Sequence, residues 1–174
     1  MGRWGTRMIS DVSPGTDNPE LFLIDGNSMA YRAFFALPDP MATADGPPTH
    51  ALFGLASMMV KLISDYRPRQ ILVAWHAGMS GREVVYAEYK AQRPPKPDLL
   101  RAQWPHLVEL VDAFGYTNIK VDGYEADDVI ASLVAEARRK SITTVVVTGD
   151  RDAYQLVGDG VTVMSTSRGV TDTK

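Results

Sequence analysis

Three groups of acidic residues have the composition and the placement of a metal site. One aspartate follows an apolar run, two follow a second apolar run, and three open a helical pattern: Asp25, Asp150, Asp152, Glu125, Asp127 and Asp128. The sequence contains no cysteine, so thiolate ligands are excluded. Hard carboxylate oxygens favour Mg²⁺ or Mn²⁺ over zinc. Two such ions about 4 Å apart can bind the attacking and leaving oxygens during phosphodiester hydrolysis. Taken singly, each group also fits an ordinary turn, helix start or helix cap.

The residues between these groups predict the framework that positions them. Continuous apolar or β-branched runs indicate buried parallel strands at 21–24, 70–75 and 143–147, with shorter strands near 119–121 and 161–164. Helical patterns cover 29–37, with Ser28 as the cap, and 50–66, 82–93, 98–114 and 125–140. Strands that alternate with helices predict an α/β fold in three layers, with a mostly parallel central sheet and helices on both faces. Because ligands bind at the carboxyl ends of such strands, the acidic groups are expected to meet there.

Composition indicates the extent of the domain, the location of the protein and the class of its ligand. Residues 1–19 are polar and rich in Gly, Pro, Ser and Asp, which predicts a disordered tail and leaves 20–174 as one domain. No apolar run reaches the length of a membrane span, and the N-terminus lacks a signal peptide, so a cytoplasmic protein without membrane contact is expected. The formal net charge of −3 alone favours a small-molecule enzyme. Between Arg82 and Arg101, however, five basic residues stand against three acidic ones, as a phosphate-binding segment would need.

Four motifs together resemble the 5′-nuclease family, which includes the N-terminal 5′–3′ exonuclease domain of bacterial DNA polymerase I and the flap endonucleases. The motifs are Leu-Ile-Asp-Gly-Asn-Ser-Met-Ala-Tyr-Arg-Ala-Phe at 23–34, Tyr-Lys-Ala-Gln-Arg at 89–93, Gly-Tyr-Glu-Ala-Asp-Asp-Val-Ile-Ala at 123–131 and Val-Thr-Gly-Asp-Arg-Asp at 147–152. Their order and spacing match the family from residue 21 to the end of the chain. The resemblance implies a PIN-like N-terminal domain that hydrolyses DNA with divalent metal ions.

The resemblance also implies roles for individual residues. Four carboxylates would surround a first metal ion: Asp25, Glu125, Asp127 and Asp128. Asp150 and Asp152 would lie between the metals or serve the second one. A helical arch near 82–97 would surround a single-stranded 5′ end, with Lys90 and Arg93 at the scissile phosphate as catalytic residues. The implied DNA-binding residues are Tyr31, Arg32, Arg82 and Tyr89, the last of which would stack on a base.

Two features depart from the family pattern. The family ends its second strand with Phe-Asp, where the Asp is a metal ligand, but this strand ends Ala74-Trp75-His76. His76 is therefore a candidate ligand that suits Mn²⁺ better than Mg²⁺, or else a residue that only packs or hydrogen-bonds there. The family also has a further helical region with two more Asp ligands and a helix–turn–helix, whereas this sequence ends at Lys174. The second metal site would then be incomplete, as expected for a fragment, for a chain completed by a partner, or for a weakened enzyme.

The sequence thus favours a metal-dependent 5′–3′ exonuclease or flap endonuclease. Its expected partners are DNA with a 5′ flap or a single-stranded 5′ end, together with a polymerase or a missing C-terminal region. The main alternative is a catalytically degenerate module that binds DNA ends or flaps. A PIN-type nuclease acting on RNA is a third, which the arch-like segment disfavours. An unrelated phosphohydrolase is disfavoured because no Asp-x-Asp motif follows the first strand.

Overall fold

The computed structural model describes residues 19–37, 46–77 and 95–166. Its strands are β1 (Leu21–Asp25), β2 (Gln70–Trp75), β3 (Thr117–Lys120), β4 (Thr144–Thr148) and β5 (Val161–Ser165). Its α-helices are α1 (Gly26–Ala36), α2 (His50–Tyr66), α3 (Asp98–Ala113) and α4 (Ala126–Arg139), and a 3₁₀ helix covers Arg151–Leu156. The strands and α-helices agree with the predicted ones to within a few residues at each boundary, and α1 begins three residues earlier than predicted. The 3₁₀ helix was not predicted.

The five strands form one sheet in the order β3-β2-β1-β4-β5, and all four pairings are parallel. The chain builds outward from β1 to β3 on one side and then returns to place β4 on the other side of β1. The direction of winding therefore reverses between β1 and β4. In open parallel sheets, the crevice beyond the carboxyl ends of strands at such a reversal is where ligands bind. Asp25 and Thr148 end the two strands that flank it.

Side chains alternate between the two faces of the sheet, and each face is covered. On one face, Phe22 and Ile24 of β1 belong to a core cluster that also contains buried residues of α1, α2 and α3. On the other face, Leu23 packs with buried residues of α4, including Val129 and Ile130. The predicted three-layer α/β fold is confirmed, and the strands are buried on both sides, which explains their continuous apolar sequences.

Helix α1 begins directly where β1 ends, without a loop. Its cap is Asp25, whose side chain accepts a hydrogen bond from the Ser28 backbone N–H, so the predicted cap at Ser28 is wrong. The tight junction needs glycine at position 26, because a Cβ there would lie 2.7 Å from the Trp75 ring. Trp75 is itself fixed, since its indole N–H donates to Asn118 Oδ1 at 2.6 Å. The start of α1 is therefore set against β2 by packing.

Some predicted features lie outside the described residues: the tail up to residue 18, most of the arch segment at 82–97, and the end of the domain after residue 166. Pro19, at the end of the predicted tail, is buried. Within the described ranges, no helix is long and apolar enough to cross a membrane.

Candidate metal centre

Asp25 lies at the winding reversal and is held by two hydrogen bonds. Its carboxylate accepts the Ser28 backbone N–H at Oδ1 and the Thr148 hydroxyl at Oδ2, each at 2.9 Å. Only 4% of the residue is exposed. Burial raises the pKa of Asp25, the two hydrogen bonds oppose that rise, and repulsion from Asp150 adds to it. A buried carboxylate under these opposing influences would gain from a nearby cation.

The turn after β4 joins a second acidic segment to the first. Thr148 Oγ1, which donates to Asp25, also accepts the Asp150 backbone N–H at 3.1 Å. The Gly149 N–H donates to Ser28 Oγ at 2.7 Å, and a Cβ at Gly149 would lie 2.8 Å from that oxygen. Asp150 caps the following 3₁₀ helix by accepting the Asp152 N–H at 2.9 Å. Thr148 thus couples the position of Asp25 to that of Asp150.

The start of α4 brings the third acidic segment. Glu125 is buried and forms a capping box with Asp128, in which each side chain accepts the other residue's backbone N–H. The bond from Glu125 N–H to Asp128 Oδ2 is 3.2 Å long. Both residues therefore have a structural role in the first turn of α4. The negative charges also suit the positive end of the helix dipole.

The pKa of Asp127 is affected by acidic residues of all three segments. Although the residue is exposed, partial burial of its carboxylate raises its pKa, and repulsion from Asp25 and Asp150 raises it further. His76 opposes this rise, and Glu125 contributes to it. Asp127 therefore lies within the field of acidic residues from both other segments. It also lines a crevice of about 180 Å³ with three of the other predicted ligands: Asp128, Asp150 and Asp152.

The convergence stops short of a closed coordination sphere. Among residues 19–37, 46–77 and 95–166, no three Asp, Glu or His side chains are close enough together to hold one metal ion. The carboxylates are therefore near enough to repel one another but not arranged as a compact ligand set. Mg²⁺ usually retains several water ligands, which suits such an open arrangement. Metal binding by these six residues stays a prediction.

His76 lies beside this cluster, at the end of β2. Its backbone N–H donates to Asn27 Oδ1 and its ring Nδ1 accepts the Ala126 backbone N–H, both at 2.9 Å. The Nδ1 lone pair is therefore engaged by α4. The prediction that His76 binds a metal is not tested by this geometry alone, but Nδ1 is unavailable for that role while the bond is made.

The predicted DNA-contact residues Tyr31 and Arg32 line a separate cavity of about 420 Å³ next to the Ser28–Gly149 hydrogen bond. Arg32 and Thr166 both line this cavity, and their Nε and Oγ1 atoms, which are closed to solvent, have no hydrogen-bond partner among the described residues. Buried polar atoms without partners are costly, so both side chains would gain from a polar ligand that they could reach. No local motif marks Thr166, so its place in this cavity could not be predicted from the sequence.

Arg82, Tyr89, Lys90 and Arg93 lie outside the described residues. Lys96, at the edge of the same basic segment, is described: its ammonium lies 2.9 Å from the centroid of the Trp104 ring. Burial and the neighbouring Lys120 lower the pKa of Lys96 to about 8. This basic residue therefore packs against α3, which is a structural use of one of the five charges in the segment.

Comparison with known proteins identifies the family. The family model for the 5′-3′ exonuclease N-terminal resolvase-like domain matches residues 20–174. DNA polymerase I of Caldicellulosiruptor bescii is 42% identical over 145 residues, which cover 83% of this chain and 17% of that protein. DNA polymerase I of Mycobacterium tuberculosis is 42% identical over 170 residues, covering 95% of this chain and 19% of the relative. A 5′-3′ exonuclease of Aquifex aeolicus is 40% identical over 146 residues, which cover 83% of this chain and 50% of that protein.

Solved structures share the fold. The T5 5′-exonuclease with bound zinc aligns with a TM-score of 0.61 and 21% identity, covering 86% of this chain and 56% of that one. The T5 D15 protein co-crystallised with metal ions aligns with a TM-score of 0.66 and 20% identity, covering 86% of this chain and 56% of that one. The chain spans less than one fifth of the two polymerase relatives and half of the Aquifex exonuclease. The chain belongs to the 5′-3′ exonuclease family and carries its N-terminal resolvase-like domain.

Proposed function

We propose that this chain is the metal-binding domain of a divalent-metal-dependent 5′–3′ exonuclease or flap endonuclease that hydrolyses DNA phosphodiester bonds at 5′ ends. The observation that carries the proposal is one crevice lined by Asp127, Asp128, Asp150 and Asp152, in which burial and repulsion from Asp25 and Asp150 raise the pKa of Asp127. A fold does not retain such repulsion for stability, since neutral side chains would avoid it. A divalent cation bound among these groups would relieve it.

The donor set fits Mg²⁺ or Mn²⁺, because every proposed ligand is a carboxylate oxygen. The proposed ligands are Asp25, Asp127, Asp128, Asp150, Asp152 and Glu125. When bound, two divalent ions would activate a water molecule and neutralise charge on the scissile phosphate. Thr148 and Ser28 hold the Asp25 carboxylate in one orientation, and the capping box holds Glu125 and Asp128. The chain's own contribution is therefore to keep the repelling groups in place.

DNA binding is proposed for the cavity beside the carboxylates. Arg32 and Thr166 line this cavity, and their guanidinium and hydroxyl groups would supply a cationic donor and a hydroxyl to a phosphate oxygen. Tyr31, on the same helix, presents an aromatic ring to that cavity. Tyr89, Arg82, Lys90 and Arg93 are proposed as arch contacts to a single-stranded 5′ end on the strength of the family's motif. A polymerase or a C-terminal region as partner, and a cytoplasmic location, belong to the same proposal.

The proposal is tested with a 5′-labelled flap DNA in Mg²⁺ and, separately, in Mn²⁺. The wild-type chain is compared with Asp127→Ala and with Asp159→Ala, which removes an exposed carboxylate from the turn before β5, at the opposite edge of the sheet. We expect metal-dependent cleavage that is lost in Asp127→Ala and kept in Asp159→Ala. Equal cleavage by all three proteins, or cleavage that persists in a chelator, would refute the role of the carboxylate cluster.

A second function, binding of DNA ends or flaps without cleavage, has one observation in its favour. Within the described part of the chain, no three potential ligands are close enough to hold a single ion. Under this alternative, the flap binds with unchanged affinity in Asp127→Ala and is not cut in either metal. The same flap in a filter-binding assay beside the cleavage assay separates the two functions.

A further inference from the structure

His76 connects the starts of the two helices that carry the acidic residues. Its backbone N–H bonds to Asn27 in the first turn of α1, and its ring bonds to the N–H of Ala126, the first residue of α4. Asp25 caps the first of these helices, and Asp127 follows Ala126 in the second. One residue at the end of β2 thus fixes two acidic segments relative to each other.

The bond at Ala126 adds to the capping of α4. The first N–H groups of a helix lack partners within the helix. The capping box satisfies those of Glu125 and Asp128, and His76 Nδ1 satisfies that of Ala126. An imidazole nitrogen that accepts a hydrogen bond carries no proton, so the ring that makes this bond is neutral and bears its hydrogen on Nε2. The attraction between His76 and the Asp127 carboxylate belongs to a protonated ring, which could not accept the bond. The neutral ring in this bond offers no free lone pair to a metal ion from either nitrogen.

We infer that His76 is a positioning residue, a second cap that holds the first turn of α4 and its carboxylates at the sheet edge, and not a metal ligand. The importance of that turn for catalysis rests on the proposed function, but the cap itself does not. Replacement of an acidic residue by histidine at a strand end is then compatible with an intact carboxylate set on α4.

The first test is the ring tautomer in the metal-free protein. Long-range ¹H–¹⁵N correlation of the full chain at pH 8 distinguishes the two ring nitrogens, and a His76→Asn variant assigns the signal among the three histidines. We expect His76 with its hydrogen on Nε2 and an unprotonated Nδ1. A protonated Nδ1, in a neutral or a charged ring, would overturn the inference.

The second test uses a matched pair of variants. In His76→Asn the amide oxygen can take the place of Nδ1 as an acceptor, whereas His76→Phe keeps ring volume and removes the acceptor. Amide hydrogen exchange at Ala126 is expected to accelerate about tenfold in His76→Phe, the factor for losing one net hydrogen bond, and to change by less than about threefold in His76→Asn. Unchanged exchange in β1 confirms that both variants fold. Equal exchange at Ala126 in the two variants contradicts a cap.

The third test separates this inference from the proposed function. Pulsed electron paramagnetic resonance of Mn²⁺ added to the wild-type chain reports directly bound imidazole nitrogen, and we expect no such coupling. A coupling that disappears in His76→Asn would make His76 a ligand, which refutes the cap and leaves the nuclease proposal standing. Absence of any Mn²⁺ binding, with the expected tautomer and exchange rates, would refute the metal-dependent function and leave the cap in place.

Discussion

Replacing Thr148 with valine tests whether the acidic segments are held together by its hydroxyl group. Valine keeps the shape of threonine but can neither donate to Asp25 nor accept from Asp150. Thr148 is buried, with 2% of its surface exposed, and the bond to Asp25 is buried as well. Water therefore cannot easily replace the lost donor, and the Asp25 carboxylate keeps its hydrogen bonds to the backbone N–H groups of Ser28 and Asn27.

The expected cost follows from the two bonds. A hydrogen bond to a charged group contributes roughly 1.5–3 kcal/mol, and a neutral one roughly 0.5–1.5 kcal/mol. Because Asp150 is exposed, water can partly satisfy its N–H, so most of the loss falls on Asp25. We expect Thr148→Val to lower the free energy of unfolding by about 2–3 kcal/mol at pH 7.5. For a chain of this length, that corresponds to a melting temperature lower by roughly 4–12 °C.

The assay is urea unfolding of the metal-free protein, with Thr148→Ser as the matched control because serine retains the hydroxyl. The Thr148 bond lowers the pKa of Asp25. Its loss raises that pKa further, so the deficit of Thr148→Val should be largest at a pH where Asp25 is ionised in both folded proteins. The deficit should shrink as the pH falls from the folded pKa of Asp25 in the variant to the lower one in the wild type. If Thr148→Val and Thr148→Ser differ by less than about 0.5 kcal/mol at pH 7.5, the reasoning fails.

Three further predictions concern single residues. Gln103→Leu should cost about 1–3 kcal/mol in urea unfolding, because the buried Gln103 side chain accepts the Ala51 N–H at the start of α2. Gly26→Ala should cost about 1–3 kcal/mol and alter tryptophan fluorescence, because the new Cβ would lie 2.7 Å from the Trp75 ring. The folded pKa of Asp127 is raised above 3.8, so its ionisation destabilises the metal-free fold as the pH rises through that pKa. Asp127→Asn should therefore have a higher melting temperature than wild type at pH 7.5 and the same one at pH 3. Mg²⁺ at 100 times its dissociation constant should stabilise the wild type by about 2.7 kcal/mol and stabilise Asp127→Asn by less.

The strands, and the acidic residues that lie at their ends, could be predicted from the sequence alone. Strands buried on both faces need continuous apolar runs, and β1, β2 and β4 are such runs. Since all strands are parallel, any residue just after a strand lies at the same edge of the sheet, which makes the position of Asp25 and Asp150 predictable without further information. Family membership, indicated by four motifs, is confirmed.

The contacts that fix those positions were not predictable in the same way. Local preference for serine as a helix cap favoured Ser28, but the hydroxyl of Ser28 instead accepts the Gly149 N–H, 121 residues away in the sequence. Gln103 caps a helix that starts 53 residues earlier, and His76 caps one that starts 50 residues later. Such caps depend on how the elements pack and leave no mark in the spacing of nearby residues.

The acidic groups of the proposed metal site also hold the fold. Glu125, Asp128 and Asp150 cap helices, and Asp25 caps α1 while it receives the Thr148 hydroxyl. A cap interpretation for each acidic group is therefore correct, and it does not compete with a metal role. Caps need only one carboxylate at each helix start, however, and they give no reason to bring Asp25, Asp127 and Asp150 into mutual repulsion. That excess of negative charge is the part of the arrangement that the proposed cation would neutralise.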